Sequence, residues 1–186
     1  MKKIFFAALI LTGILSADDK PTGFWLCGGG AIFAGGTHDG MSYGLSSETG
    51  VFLPPLETRM FLSSGFQMHI NPATLIDSSY DSDNDKWVKR TRDVSIKEIP
   101  VMIGIGTPPH RSRWFLKLAT GLHILLLSGV AEDEPTLQWS MGLKASGGYI
   151  WGNGLFLETG GGYILDENYG YAYPFLRAGL LFAKGD

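Results

Sequence analysis

The stretch TLQWSMGLKASGGYIW, residues 136–151, alternates without a break. Leu137, Trp139, Met141, Leu143, Ala145, Gly147, Tyr149 and Trp151 share one parity; Gln138, Ser140, Gly142, Lys144, Ser146 and Gly148 share the other. Strand side chains alternate between two faces, whereas a helical face repeats every 3.6 residues, so this period of two specifies a strand with one apolar face. Its length exceeds the roughly 5–6 residues of an ordinary strand and covers the roughly 9–11 that a tilted membrane-crossing strand needs.

The same pattern runs outward in both directions. Trp114, Leu116, Leu118, Leu122, Ile124 and Leu126 oppose Lys117, Gly121 and His123. Ile99, Val101, Ile103 and Ile105 oppose Glu98, Pro100, Met102 and Gly104, and Met60, Leu62, Phe66, Met68 and Ile70 oppose Arg59, Ser63, Gly65, Gln67 and His69. Eight strands are predicted, over residues 23–34, 43–53, 58–70, 92–106, 114–126, 136–151, 154–165 and 170–184. Pro54-Pro55, Thr107-Pro108-Pro109 and Gly152-Asn153 mark short turns. Longer polar connections near 35–42, 71–91, 127–135 and 166–169 fall between them. Short turns at one end and long loops at the other, with an even strand count, define an up-and-down antiparallel barrel whose termini share the short-turn end.

Composition narrows the function classes. The chain has 186 residues, of which only 18% are charged, with 26 glycines, one cysteine and a net charge of −3. A lone cysteine excludes a disulfide framework and a cysteine-based zinc cluster. A negative net charge gives no footing for nucleic-acid binding. At the N-terminus, Lys2 and Lys3 precede an apolar run from Ile4 to Leu15 that ends in Ser16-Ala17. That is the layout of an export signal, too short for a spanning helix. The expected organisation is a signal peptide over residues 1–17 and one barrel domain over 18–186. Cys27 follows Phe24-Trp25-Leu26 and lacks the small residues of a lipid-attachment site.

Period two alone does not say which face is outside. Three features place the apolar face outward, in lipid. The opposite face is rich in Gly and Ser, suited to a narrow concave interior rather than a watery exterior. Aromatic residues cluster toward strand ends: Trp114, Tyr149, Trp151 and Phe182 near the short turns, Trp139, Tyr163 and Tyr171 toward the loops. Such belts match membrane interfaces. Finally, Glu48, Arg59, Glu98, Lys117, Lys144, Glu158 and Arg177 fall on the small-residue face, the pattern of an interior ion-pair network. The reading left standing beside it is a soluble periplasmic ligand-binding β-barrel.

With these features the chain resembles the small outer-membrane β-barrel proteins of the OmpA-domain and OmpX kind, within the outer-membrane protein β-barrel superfamily. The resemblance spans the chain after residue 17 and rests on the export signal, the eight strands, Lys97-Glu98-Ile99-Pro100-Val101 and the last strand, Tyr173 to Phe182. That strand looks like the one recognised by barrel-assembly machinery, with the usual terminal aromatic displaced by Ala183-Lys184-Gly185-Asp186. The resemblance implies outer-membrane lipid and lipopolysaccharide as surroundings, and an extracellular ligand through the loops.

Catalytic and metal-binding motifs are weak. His69 and His123 share the polar face with Ser63 and Ser146, but no spacing assembles a nucleophile, base and acid. Asp81, Asp83 and Asp85 match the start of a calcium loop, yet Lys86 stands at the glycine position and Arg92 at the bidentate glutamate position. The glycine runs at 28–30 and 160–162 do not complete a dinucleotide fingerprint. No catalytic residue, metal or cofactor is expected. The expected role is structural or surface-interacting, through the outer loops and without turnover. A narrow pore or lateral transport path is the second expectation, and a lipid-modifying acyl hydrolase or transferase the third.

Overall fold

A computed structural model describes residues 23–34, 41–53, 59–70, 73–81, 86–107, 112–128, 136–166 and 170–183. The expected signal peptide and parts of the loops at 35–42, 127–135 and 166–169 lie outside the described residues. The described residues form nine strands: β1 (Gly23–Ala34), β2 (Met41–Phe52), β3 (Met60–His69), β4 (Ala73–Asp81), β5 (Lys86–Gly106), β6 (Trp114–Ser128), β7 (Thr136–Ile150), β8 (Leu155–Leu165) and β9 (Ala172–Ala183). All pairings are antiparallel between chain neighbours, except that β1 pairs with β9 and β3 with β5. Those two pairings close a ring of eight strands, β1-β2-β3-β5-β6-β7-β8-β9, leaving β4 outside it. Closure removes the unpaired edges that lipid cannot satisfy.

The segment 71–91, read from sequence as a polar loop, is corrected by the structure. Residues 73–81 and 86–94 pair as a hairpin, from Ala73↔Val94 to Asp81↔Lys86. β5 pairs with β6 only from Ser95 onward, so the hairpin continues beyond the end of β6 on the long-loop side. Residues 82–85 lie outside the described residues, Asp83 and Asp85 among them. The local signal was present: β-branched and aromatic residues (Thr74, Ile76, Tyr80, Trp87, Val88, Thr91) are interleaved with charges. The density of Asp, Ser and Lys masked it.

Burial follows parity around the ring, and one row of large apolar side chains points away from the barrel. Leu116, Leu118, Leu122, Leu126, Leu137, Trp139, Met141 and Leu143 are exposed on β6 and β7, and Leu176, Leu180 and Phe182 on β9. A continuous apolar coat of this kind is the surface of a protein in lipid, since soluble monomers rarely expose such patches. Hydroxyls on this outer face bond back to the barrel. Thr49 Oγ1 donates to the carbonyl of Trp25 (3.1 Å), Ser64 Oγ to Pro100 (2.9 Å), Thr120 Oγ1 to Gly142 (3.0 Å) and Thr159 Oγ1 to Phe175 (3.2 Å). Each is satisfied without water, as the hydrocarbon layer requires.

On the inner face, glycines make room for rings. A Cβ at Gly142 would stand 2.1 Å from His123 Nε2, and one at Gly162 would stand 2.2 Å from the Tyr173 ring. Part of the glycine excess therefore comes from packing large side chains across a narrow lumen.

Candidate functional site: the barrel interior

The interior is layered. At the short-turn end, Trp25, Cys27, Phe52, Phe61, Met102, Phe115, Ala119 and Phe156 form one buried cluster. Its rings meet at tilted or edge-on angles, Trp25 with Phe52 at 5.2 Å and Phe115 with Phe156 at 5.7 Å between centroids. At the loop end, Ala31, Phe33, Val94, Ile96, Leu125, Leu127, Ile164, Tyr171, Tyr173 and Phe175 form a second. The ion-paired Glu48, Lys117, Lys144, Glu158 and Arg177 lie between them.

The central layer gathers five of the seven charged residues singled out from sequence. Glu48 on β2 receives Lys144 from β7 and Arg177 from β9 (Nη1 to Oε2, 2.9 Å), with Lys117 Nζ 3.6 Å from Oε1. Glu158 on β8 pairs with Lys117 at 2.7 Å and lies 3.6 Å from Arg177 Nη2. Ser146 Oγ donates to Glu158 Oε1 at 2.6 Å, and Trp25 Nε1 donates to Glu48 Oε1 at 3.4 Å. The cations also lie over rings: Lys117 Nζ is 4.7 Å from the Trp25 centroid, and the Arg177 guanidinium carbon is 3.8 Å from that of Phe175. These partners come from β2, β6, β7, β8 and β9, so closing the barrel is what brings them together.

Glu98 lies in the next layer toward the loops. It is wholly buried, bonded through Oε1 to His123 Nδ1 and through Oε2 to the Tyr171 hydroxyl. Asp166 near the loop end accepts bonds from Gln138 Nε2 (2.8 Å) and Ser140 Oγ. Among the described residues, the buried carboxylic acids are Glu48, Glu98 and Glu158, and the buried basic side chains are Lys117, Lys144, Arg177, His69 and His123. Pairing each ion with a partner of opposite charge offsets the cost of keeping it from bulk water.

Two sequence assignments are corrected. Arg59 lies outside this network: it is exposed at the short-turn end, just ahead of β3, with a φ of 58°. It turns the chain into the strand, so its parity does not carry into the barrel. Tyr171 is not part of an outer aromatic belt but is fully buried on Glu98. It shares odd parity with Tyr173, Phe175 and Arg177, all inward on β9. Trp114, Trp139, Trp151, Tyr163 and Phe182 do lie exposed on the outside, with Tyr149 half-buried between Trp114 and Trp151. Sequence reading missed the two inner aromatic clusters, because on β1 both faces are apolar and parity separates nothing. Cys27 faces inward, its thiol 3.7 Å from Glu158 Oε2. Ser146 serves Glu158, and His123 Nδ1 is held by Glu98, so these groups are organised as supports for buried charge rather than as a nucleophile and its base.

The fold has known counterparts. The chain superposes on Neisserial surface protein A with a TM-score of 0.51 and 15% identity, over 86% of this chain and 95% of that one. It superposes on Ail, the attachment invasion locus protein of Yersinia pestis, with a TM-score of 0.51 and 12% identity, over 89% of this chain and 100% of that one. The N-terminal β-barrel domain of Pseudomonas aeruginosa OprF aligns at a TM-score of 0.45 and 12% identity, over 88% of this chain and 98% of that one. No protein-family model matches the chain. No curated protein matches its sequence. At these identities the likeness is one of fold: a closed eight-stranded antiparallel barrel of the outer-membrane type.

Proposed function

We propose that this protein is an integral outer-membrane barrel, exported by its N-terminal signal, that anchors and presents its long-loop end at the cell surface without turnover. The observation that carries this reading is the inverted section of the barrel, apolar outside with paired charges inside. Aromatic clusters pack the interior toward both ends, and a space of about 20 Å³ beside the short-turn cluster has room for roughly one water. The β4–β5 hairpin beyond the barrel end is the element offered to an extracellular ligand, with lipopolysaccharide around the outer rim. Neisserial surface protein A and Ail bear names of surface and attachment proteins, which agrees with a presenting role. Barrel-assembly machinery is the expected partner during insertion.

The test is fractionation with gel electrophoresis of heated and unheated samples, followed by protease treatment of intact cells. Recovery in the outer membrane, a heat-dependent mobility shift and cleavage of the long-loop side from outside are expected. Recovery in the soluble periplasm with no shift would overturn the reading.

A further inference from the structure

The ion pairs of the central layer do not balance. Lys117, Lys144 and Arg177 meet only Glu48 and Glu158 there, three cations to two carboxylates. Glu98, the third buried carboxylate among the described residues, is occupied in the next layer by His123 and Tyr171. Hydrogen-bond donors outnumber acceptors in the same way. Glu158 Oε1 already accepts from Lys117 and Ser146, and Oε2 receives the neutral Cys27 thiol at 3.7 Å. Glu48 takes Lys144 and Arg177 on Oε2 and the Trp25 indole on Oε1. Among the described residues, Arg177 Nε and Nη2 are buried without a hydrogen-bond partner. An ammonium carries three donors, yet Lys117 Nζ has Glu158 at 2.7 Å and then Glu48 only at 3.6 Å, beyond hydrogen-bond length.

The surplus cation stands beside an opening. The space of about 20 Å³ at the short-turn cluster is walled by Trp25, Phe52, Phe115 and Phe156, and Lys117 is the charged residue that lines it. Lys117 Nζ is 4.7 Å from the Trp25 centroid and 5.4 Å from that of Phe115, so the ammonium lies against two of those walls. Ring faces attract a cation but bring no net charge to cancel it. Thr107, just past β5, and Ile150, at the end of β7, also line the space and are half-buried, which puts it near the short-turn surface. We propose that this space binds one small monovalent anion of the halide class, chloride being the common one, held by the Lys117 ammonium and completing the charge of the central layer. The room admits a single particle near the size of water, which excludes phosphate, sulfate and organic carboxylates. A water fits by size but leaves three cations against two carboxylates, all away from bulk solvent.

The test uses the folded barrel in lipid vesicles, unfolded with urea at one ionic strength in sodium chloride, sodium bromide or sodium gluconate, whose anion is too large for the space. At roughly ten times the dissociation constant, either halide should raise the folded-to-unfolded ratio about tenfold over gluconate, and the rise should follow a single site. Crystals soaked in bromide should show one anomalous peak in contact with Lys117 Nζ. Lys117→Met, which leaves two cations facing two carboxylates, should fold and lose both the halide response and the peak. Thr107→Phe, which narrows the space without touching the ion pairs, should lose them as well. A wild type equally stable in the three salts, a soaked crystal with no bromide at Lys117, or a variant that keeps the halide response would each overturn the site. The first two together are the result that a bound water gives. Should Lys117→Met fail to fold, the wild-type comparison and Thr107→Phe still decide.

Discussion

Removing Glu158 tests the interior network at one of its two central carboxylates. The carboxylate is fully buried and meets Lys117 at 2.7 Å, Ser146 at 2.6 Å and Arg177 at 3.6 Å. In Glu158→Ala, Lys117 keeps only Glu48, at 3.6 Å, and Glu48 must then serve Lys117, Lys144 and Arg177 together. Breaking a buried pair by deleting one partner costs about 3–5 kcal/mol, because the remaining charge stays desolvated. A loss of this size lowers the folded-to-unfolded ratio by a factor of roughly 160 to 5,000. The assay is equilibrium urea unfolding in lipid vesicles, followed by tryptophan fluorescence and by the gel shift. Lys89→Ala, on the β4–β5 hairpin, is the comparison and should stay within about 0.5 kcal/mol of wild type. Adding Lys117→Met to Glu158→Ala should recover at least about 1 kcal/mol, since it removes the stranded cation. If Glu158→Ala unfolds like Lys89→Ala, or if the second substitution simply adds its own loss, the charges are not held as a coupled set and the argument fails.

Other parts of the structure give separate expectations. Gly142→Ala places a Cβ against the His123 ring at 2.1 Å and should destabilise by about 1–3 kcal/mol, as overpacking does. At outward Gly28 a Cβ meets nothing nearer than 3.9 Å, so Gly28→Ala should be neutral or slightly stabilising; equal losses in urea titrations of the two variants would contradict the packing. Leu122→Arg puts a cation on the outer wall near mid-strand and should cost about 2–4 kcal/mol in vesicles. A soluble barrel would tolerate that exposed arginine, so wild-type stability would count against the lipid-facing assignment. In planar bilayers the purified barrel should pass no steady current, because Phe61 and Phe156 at one end and Phe33 and Tyr173 at the other fill the lumen. A stable conductance would favour the pore reading.

The alternation in residues 136–151 and its counterparts along the chain marked the strands of the ring and divided each into two faces, and the turns between them supplied the up-and-down order. Strand geometry couples parity to face so tightly that one register step would turn every leucine inward. The lipid-facing side was readable because Gly, Ser and paired charges are cheap inside a narrow barrel and Leu is cheap outside it. What parity could not convey is which charges meet. Glu48 is 96 residues from Lys144 and 129 from Arg177, and only ring closure and strand stagger place them in one layer. Nor could parity place Arg59, which precedes its strand, or decide β1, where Trp25 and Phe33 turn inward while Leu26 and Ile32 turn out. The hairpin at 73–94 was hidden because Asp, Ser and Lys crowd its β-branched and aromatic residues, and only its pairing reveals the strands. Sequence alone therefore settled the fold, an alternating strand pattern being a local property. The contents of the lumen were settled by tertiary structure, since a barrel interior is assembled from residues that meet only when the first strand and the last are joined.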